Sequence, residues 1–171
     1  MSAFVVCPLS RVEETVALYG ARHVVTLVNH GTPLSRPASV EAVNHLFLGV
    51  NDICEPAEGM ICPSEEHVNE FLGFVGRWDR CSPVVVHCYA GISRSTAAAY
   101  SAFCSLRPDL DEREIALRLR QRSPQATPNA RLVAIADEIL ERDGRMVRAV
   151  ERIGRGAEAF EGVVFALRLD E

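Results

Sequence analysis

Residues 84–100, VVVHCYAGISRSTAAAY, join an apolar run to a cysteine and, six residues later, to an arginine. The run before Cys88 is apolar on successive residues, which is typical of a strand buried on both faces of a parallel sheet. The alanine-rich stretch after Arg94 is typical of a helix. The segment therefore predicts a strand, a tight loop and a helix, the junction at which open parallel sheets bind their ligands.

Outward from this segment, strands alternate with helices before it and helices alone follow it. Three strand-like runs precede it, and they are AFVVCPL, RHVVTLVN and NHLFLGV. Ser10 and Glu13 match a capping box that would open a helix ending near Gly20, and Pro63 and Ser64 begin another. We therefore expect a three-layer α/β fold, with a mostly parallel central sheet of about 4–5 strands flanked by helices, and a helical C-terminal half.

The C-terminal part of the sequence also has an apolar pattern of helical spacing. Two last helices are predicted around MVRAVERI and AEAFEGVVFALRL. In the second, four apolar residues fall at positions i, i+3, i+4 and i+7, namely Phe160, Val163, Val164 and Leu167. We expect this stripe to pack on its own domain, with a partner surface as the alternative. Residues 1–171 are interpreted as a single domain, in which about 143–171 form a helical extension.

The composition is that of a globular protein and excludes several function classes. Of the 171 residues, 48% are hydrophobic and 24% are charged, and the net charge is −5. This acidic balance argues against a nucleic-acid partner. No apolar run reaches the ~20 residues of a membrane span, and the first residues lack a signal-peptide pattern, so we expect a cytoplasmic protein without a membrane partner. The six cysteines show no zinc-site spacing.

The loop between Cys88 and Arg94 has the residues of an anion site. Its backbone N–H groups, from Tyr89 to Arg94, lead into a helix N-terminus, where free donors and the helix dipole attract a phosphate or sulfate. Gly91 permits a positive φ, and the Arg94 guanidinium can hold two phosphoryl oxygens at once. Thiols in such positive surroundings ionise near neutral pH. The pattern thus predicts a thiolate that faces a bound phosphate and attacks phosphorus.

These residues resemble a known family. HCYAGISRST, residues 87–96, resembles the HCxxGxxR[ST] signature of cysteine-dependent protein tyrosine phosphatases, and AGISRS is most similar to the compact dual-specificity branch. The resemblance extends from about Phe4 to about Leu140. HLFLGVNDI resembles the strand and acid loop of that branch, and RSPQATPNARLVAIADEIL resembles its later helices.

The resemblance implies a role for each residue of the loop. Cys88 would be the nucleophile, Arg94 would bind the phosphoryl group and stabilise the transition state, and Ser95 would donate to the sulfur as the thiolate leaves. His87 would orient the loop. No metal or cofactor is expected, because Arg94 and the backbone amides neutralise the charge that a metal would otherwise carry. Phosphate would be bound by the loop residues, which are Tyr89, Ala90, Gly91, Ile92, Ser93 and Arg94.

A general acid is also needed, because the leaving oxygen requires a proton. Asp52 is the leading candidate, since it follows the third strand and precedes Cys88 by a separation that resembles the family's. Glu55 and Glu58 lie in the same loop and are the alternatives. Asn129, in TPNARL, matches a family Pro-Asn feature and is expected to cap a helix and support the site.

The loop composition favours one substrate class and leaves others open. None of the residues between Cys88 and Arg94 is positively charged. A neutral loop with one arginine favours phosphotyrosine in a protein or peptide, with phosphoserine and phosphothreonine as further substrates. An inositol phosphate or phosphoinositide phosphatase and a slow-turnover phosphoprotein-binding module are the alternatives. A sulfur-transfer or arsenate-reducing enzyme is disfavoured.

Two further expectations concern regulation and assembly. Cys7 and Cys54 follow strands at the presumed active-site edge, so either could trap oxidised Cys88 as a reversible disulfide. The protein is expected to be a monomer or a weak homodimer, with a phosphorylated protein or peptide as its partner.

Overall fold

The computed structural model describes residues 2–171, which form a five-stranded sheet and six α-helices. The strands are β1 (Ala3–Pro8), β2 (His23–Val28), β3 (His45–Gly49), β4 (Val84–Cys88) and β5 (Phe165–Arg168). The helices are α1 (Val12–Tyr19), α2 (Glu65–Arg77), α3 (Arg94–Leu106), α4 (Glu112–Arg122), α5 (Ala130–Ile139) and α6 (Arg145–Ile153). No helix in residues 2–171 is both long and apolar enough to cross a membrane.

The sheet has the strand order β3-β2-β4-β1-β5. The first four strands are parallel, and β5 runs antiparallel to β1. The strands β1 and β4 are buried along their whole length, as successive apolar residues predict for the centre of a parallel sheet. The expected α/β class and mostly parallel sheet are therefore confirmed.

The two faces of the sheet are covered unequally. One face forms the large core with helices α2 to α6, and it includes Phe4, Val86 and Cys88. The other face forms a smaller core with α1, and it includes Cys7 and Val85. Because neighbouring residues of a strand point to opposite faces, Cys88 faces the large core and His87 faces the small one.

The helix predicted around AEAFEGVVFALRL is wrong. Residues 154–164 have no regular helix or strand, and β5 follows them. The apolar residues from 165 onward alternate with more exposed ones, since Phe165 and Leu167 are buried and Arg168 is exposed. This period of two matches a strand, and β5 supplies hydrogen-bond partners to the edge of β1. The C-terminal extension is thus helical only in α6.

The helix start predicted at Ser10 is also different in the structure. Residues Leu9–Arg11 form a 3₁₀ turn, and α1 begins after Arg11 without a side-chain cap. Ser10 instead donates its hydroxyl to Glu161 Oε1 at 2.9 Å. The end of α1 is as predicted, because Gly20 adopts a left-handed conformation with φ of 61°.

Candidate active site

The candidate site lies at the carboxyl ends of the parallel strands. Cys88 is the last residue of β4, and the loop that follows it leads into α3, which begins at Arg94. Pro8 ends the neighbouring strand β1 in register with Cys88, and Val28 ends β2 on the other side. Side chains that follow these strands therefore converge on Cys88.

Hydrogen bonds from outside the loop fix the direction of its peptide groups. Four loop carbonyls accept from backbone N–H donors, in the pairs Leu9 to Tyr89 (3.0 Å), Gly162 to Ala90 (2.8 Å), Thr127 to Ile92 (2.9 Å) and Asn129 to Ser93 (3.2 Å). In a trans peptide the N–H points away from the C=O of the same unit. The N–H groups that follow these four carbonyls therefore point toward the centre of the loop, where Cys88 lies.

Gly91 is required by this close packing. Its φ is +71°, and a Cβ at this position would lie 2.7 Å from Pro8 N and 2.8 Å from the Cys7 carbonyl carbon. Only glycine adopts such a conformation in that space without displacing the β1 backbone.

The sulfur of Cys88 has two hydrogen-bonding neighbours. The Ser95 hydroxyl lies 3.1 Å from Cys88 Sγ, and the Gly91 N–H donates to the same sulfur at 3.3 Å. Cys88 is only 2% exposed, and the loop that follows it leads into the N-terminus of α3. Both neighbours can therefore donate a hydrogen bond to the sulfur.

Arg94 is buried, and one nitrogen of its guanidinium donates hydrogen bonds within the protein. Its Nη1 donates to Asn29 Oδ1 and to the Val50 carbonyl, each at 2.8 Å. Its Nε is buried and has no hydrogen-bond partner within residues 2–171. An unpaired buried donor on a charged group costs free energy unless a ligand satisfies it. The arrangement therefore fits an anion bound above Cys88.

His87 is a neutral member of a buried hydrogen-bond chain. Burial lowers the pKa of His87 to about 4. Its Nδ1 lies 3.3 Å from the Cys88 carbonyl, which can only accept, so Nδ1 carries the proton. Its Nε2 then accepts from Thr26 Oγ1 at 2.7 Å, and that oxygen accepts from His45 Nε2 at 2.8 Å. The chain fixes the orientation of the peptide that follows Cys88.

Asp52 is brought to the mouth of the loop. One of its oxygens, Oδ1, accepts from Ser93 Oγ at 2.7 Å and from Asn129 Nδ2 at 2.8 Å. Asp52 itself is exposed. Glu55 and Glu58 are exposed on the same loop.

Asn129 links helix α5 to this carboxylate. Its Oδ1 accepts from Leu132 N–H at 3.0 Å, which is the predicted helix N-cap. Its Nδ2 donates to Asp52. One side chain thus joins the start of α5 to the acid loop.

The two cysteines suggested as disulfide partners lie in different surroundings. Cys7 pairs in register with His87, so it faces the small core while Cys88 faces the large one. Burial raises the pKa of Cys7 to about 12. A Cys7–Cys88 disulfide therefore conflicts with the observed packing. Cys54 is an exposed free thiol in the acid loop.

Sequence reasoning missed two contributors to the site. Asn29 follows β2 and contacts Arg94, and its place at the end of a parallel strand was a usable signal. Gly162 contacts Ala90 from a segment that the sequence pattern assigned to a helix. No local signal at Gly162 indicates a partner that lies more than 70 residues away in the chain.

Similarity to known proteins is found in structure rather than in sequence. No family model matches the sequence, and the curated proteins contain no match. Solved structures do match. A PTP-2 phosphatase of Cydia pomonella superposes with a TM-score of 0.64 and 16% identity, covering 81% of this chain and 86% of that one.

Two further structures give similar values. Human DUSP28 superposes with a TM-score of 0.62 and 18% identity, covering 82% of this chain and 94% of that one. PTPMT1 in complex with PI(5)P superposes with a TM-score of 0.59 and 17% identity, covering 84% of this chain and 96% of that one. This chain therefore has the fold of the cysteine-dependent protein tyrosine phosphatases, in the compact form of the dual-specificity branch.

Proposed function

We propose that the chain is a phosphatase that hydrolyses phosphate monoesters through a phosphocysteine intermediate. The observation that carries this proposal is the buried, unpaired Nε of Arg94, together with a loop whose carbonyls are held outward and whose Gly91 N–H donates to Cys88 Sγ. A phosphoryl group has the charge and the number of acceptor oxygens that these donors require. The donors also meet the charge that develops on the equatorial oxygens in the transition state.

The first chemical step uses Cys88 and Asp52. The Cys88 thiolate attacks phosphorus, and an S–P bond forms while the bond from phosphorus to the leaving oxygen breaks. Asp52 carries its proton on the oxygen that does not accept from Ser93 and Asn129. It gives this proton to the leaving oxygen of the substrate. The products of this step are the alcohol or phenol and the phosphocysteine.

Hydrolysis of the phosphocysteine restores the enzyme. Water attacks phosphorus and gives a proton to Asp52, and the S–P bond breaks as the thiolate leaves. The Ser95 hydroxyl, 3.1 Å from the sulfur, stabilises the negative charge that returns to it. The buried histidine chain keeps the loop in position during both steps, and His87 stays neutral in the physiological range.

Phosphotyrosine in a protein or peptide is the substrate that we infer, with phosphoserine and phosphothreonine as further substrates. The loop side chains supply no positive charge apart from Arg94, and Tyr89, the first of them, is 56% exposed. An exposed aromatic side chain at the mouth can pack against a phosphorylated aromatic ring.

An inositol lipid is the second candidate substrate. It is favoured by one observation, the similarity of the fold to PTPMT1, whose structure contains PI(5)P. A polyanionic headgroup needs several cations, and the loop offers only Arg94, which places this candidate second.

A substrate panel with wild-type protein and the Cys88→Ser variant tests the proposal. The panel consists of a phosphotyrosine peptide, a phosphothreonine peptide, an inositol polyphosphate and a phosphoinositide. We expect kcat/KM to be highest for the phosphotyrosine peptide, and we expect Cys88→Ser to abolish turnover while it still binds vanadate or a phosphopeptide. Cys104→Ser, at another buried free cysteine, is the matched control.

Three outcomes would overturn parts of the proposal. Substantial turnover by Cys88→Ser would exclude the thiolate mechanism. A preference of about tenfold or more for either inositol substrate would replace the substrate assignment and keep the mechanism. Tight phosphopeptide binding by a wild-type protein without turnover would identify a binding module.

A further inference from the structure

The segment that connects α6 to β5 forms one side of the candidate active site. Gly156 N–H donates to Thr127 Oγ1 at 3.0 Å, and Ala157 N–H donates to the Pro124 carbonyl at 2.9 Å. At its other end, Gly162 N–H donates to the Ala90 carbonyl. The chain between these anchors, AEAFE, therefore crosses from the turn before α5 to the loop that holds Cys88.

Both anchors are close backbone contacts. A Cβ on Gly156 would lie 2.5 Å from the Gln125 carbonyl oxygen, and a Cβ on Gly162 would lie 2.7 Å from the Gly91 carbonyl oxygen. Segments held at both ends by such contacts keep a fixed position. Residues 154–160 therefore form a wall of the site, which we call the C-terminal wall.

A cleft of about 950 Å³ lies between the C-terminal wall and the side of the site that holds Asp52. Asp52, Ile92 and Ser93 line this cleft, and Ile92 and Ser93 belong to the loop between Cys88 and Arg94, so the cleft adjoins the proposed phosphate site. Thr127, Pro128 and Val150 also line the cleft. This volume is in the range that accepts a small molecule or a few peptide residues.

The lining of the cleft is apolar and acidic. Phe160 is 83% exposed, which leaves its ring free to contact a ligand. Glu151 and Glu158 are exposed at the rim, together with Asp52, against a single arginine, Arg155. Arg155 lies 3.5 Å from Glu158, which offsets its charge. The cleft thus has a net negative charge.

We propose that this cleft binds the residues that flank the phosphorylated residue of a protein substrate, with an apolar side chain against Phe160 and a basic side chain near Glu151. This inference rests on the proposed phosphatase function and extends it to substrate sequence. The cleft adjoins the phosphate site, so a substrate held there by its phosphate can place its neighbouring residues in the cleft. The negative rim disfavours substrates with acidic neighbouring residues and polyanionic headgroups. Phe160 is then a specificity-determining residue.

Three substrates separate this inference from the proposed function. They are p-nitrophenyl phosphate, which has no flanking residues, a phosphotyrosine peptide flanked by leucine and arginine, and the same peptide flanked by serine and aspartate. We expect wild-type protein to prefer the leucine–arginine peptide over the serine–aspartate peptide by about tenfold in kcat/KM, the size of effect that one buried anchor residue gives.

Two variants test the role of Phe160. Phe160→Ala should lower the ratio of kcat/KM between the leucine–arginine and the serine–aspartate peptide by about fivefold or more, because it removes an aromatic anchor. Leu18→Ala is the matched control, because Leu18 is 74% exposed on α1, which packs on the opposite face of the sheet. We expect Leu18→Ala to keep the wild-type preference.

The outcomes distinguish the two proposals. A wild-type preference below about twofold would overturn the cleft assignment, and so would a Phe160→Ala variant that keeps the wild-type preference. In either case, turnover of p-nitrophenyl phosphate would still support the phosphatase. Failure to hydrolyse any of the three substrates would overturn the phosphatase. In that case, fluorescence anisotropy of the two labelled phosphopeptides, with wild-type protein and Phe160→Ala, decides whether the cleft discriminates between them.

Discussion

Asp52 accepts two hydrogen bonds on one oxygen, and we propose that its other oxygen gives the proton to the leaving group. We expect Asp52→Asn to lower kcat about 10²-fold or more for an alkyl phosphate or phosphopeptide, because these leaving groups depend on protonation. Substrates with acidic phenols as leaving groups should lose much less.

The measurement is the dependence of kcat on the pKa of the leaving group, for the wild type and for each variant. Glu55→Gln is the matched control, since Glu55 lies in the same loop and is exposed. If Asp52→Asn lowered kcat equally for all leaving groups, Asp52 would not be the general acid. If Glu55→Gln lowered kcat selectively for poor leaving groups, the general acid would be Glu55.

Gly162 supports the loop through its backbone and through the absence of a side chain. A Cβ there would lie 2.7 Å from the Gly91 carbonyl oxygen and 3.3 Å from Ile92 Cγ1. We expect Gly162→Ala to displace the loop and to lower kcat/KM for p-nitrophenyl phosphate at least about tenfold, since a displaced donor no longer meets the phosphoryl oxygens.

Gly76→Ala is the matched control, because Gly76 lies in α2 and a Cβ added there would meet nothing within 4 Å. It should keep full activity and gain about 0.5–1 kcal/mol of stability from the helix preference of alanine. Wild-type kinetics in Gly162→Ala would mean that the segment does not position the loop.

At the scale of the elements, α5 begins at Asn129, whose side chain makes two kinds of hydrogen bond. Asn129 caps the helix through Oδ1 and donates to Asp52 through Nδ2. We expect Asn129→Ser to keep the cap, because serine is an equally good N-cap residue, and to lose the contact with Asp52. Asn129→Ala should lose both, with a stability cost of about 1 kcal/mol.

Thermal unfolding and leaving-group kinetics of the two variants separate the effects of these hydrogen bonds. Both variants should share the defect with poor leaving groups, and only Asn129→Ala should unfold at a lower temperature. A kinetic defect that appears only in Asn129→Ala would reduce Asn129 to a helix cap.

The strands and most helices were predictable because their signals are local. Runs such as VVVHC carry the period and residue types of a buried strand, and glycine at 20 ends α1. The segment after α6 was not predictable in this way, because its apolar spacing fits a helix and a strand equally well. Pairing with β1 decided the outcome, and that pairing depends on residues more than 150 positions away.

The candidate site was predictable to the extent that its residues share one loop. The sequence predicted Cys88, Arg94 and Ser95 at one strand-to-helix junction, and in the structure Cys88 ends β4, Arg94 begins α3 and the Ser95 hydroxyl lies 3.1 Å from Cys88 Sγ. Ser10 shows the opposite case, since its local pattern predicts a helix cap while its hydroxyl donates to Glu161 instead. Hydrogen bonds of that range leave no pattern in a single sequence.

At the scale of the whole molecule, the buried neutral His87 makes stability depend on pH. The pKa of His87 is about 4 in the folded state, against an ordinary value of 6.5. Above pH 6.5 the residue is neutral in both states and contributes no pH dependence. As the pH falls from 6.5 to 4, only the unfolded state binds a proton, so stability falls by about 3 kcal/mol, and below pH 4 the loss is complete.

Urea unfolding of wild type and His87→Gln at several pH values between 7 and 4 checks this expectation. The variant should be less stable at pH 7, because it loses contacts with Thr26 and the Cys88 carbonyl. Its stability should nevertheless fall less steeply than that of the wild type as the solution is acidified. Parallel curves for the two proteins would show that His87 is not the responsible group.

The antiparallel strand β5 gives the molecule an order of assembly. During synthesis, β1 emerges first, but its outer edge stays without a partner until residues 165–168 have left the ribosome. The same late segment brings Gly162 to the Ala90 carbonyl. A growing chain therefore carries an open strand edge, which attracts chaperones and other chains. The loop around Cys88 receives its last support only when residues 162–168 have been made, so the proposed activity requires that synthesis has passed β5.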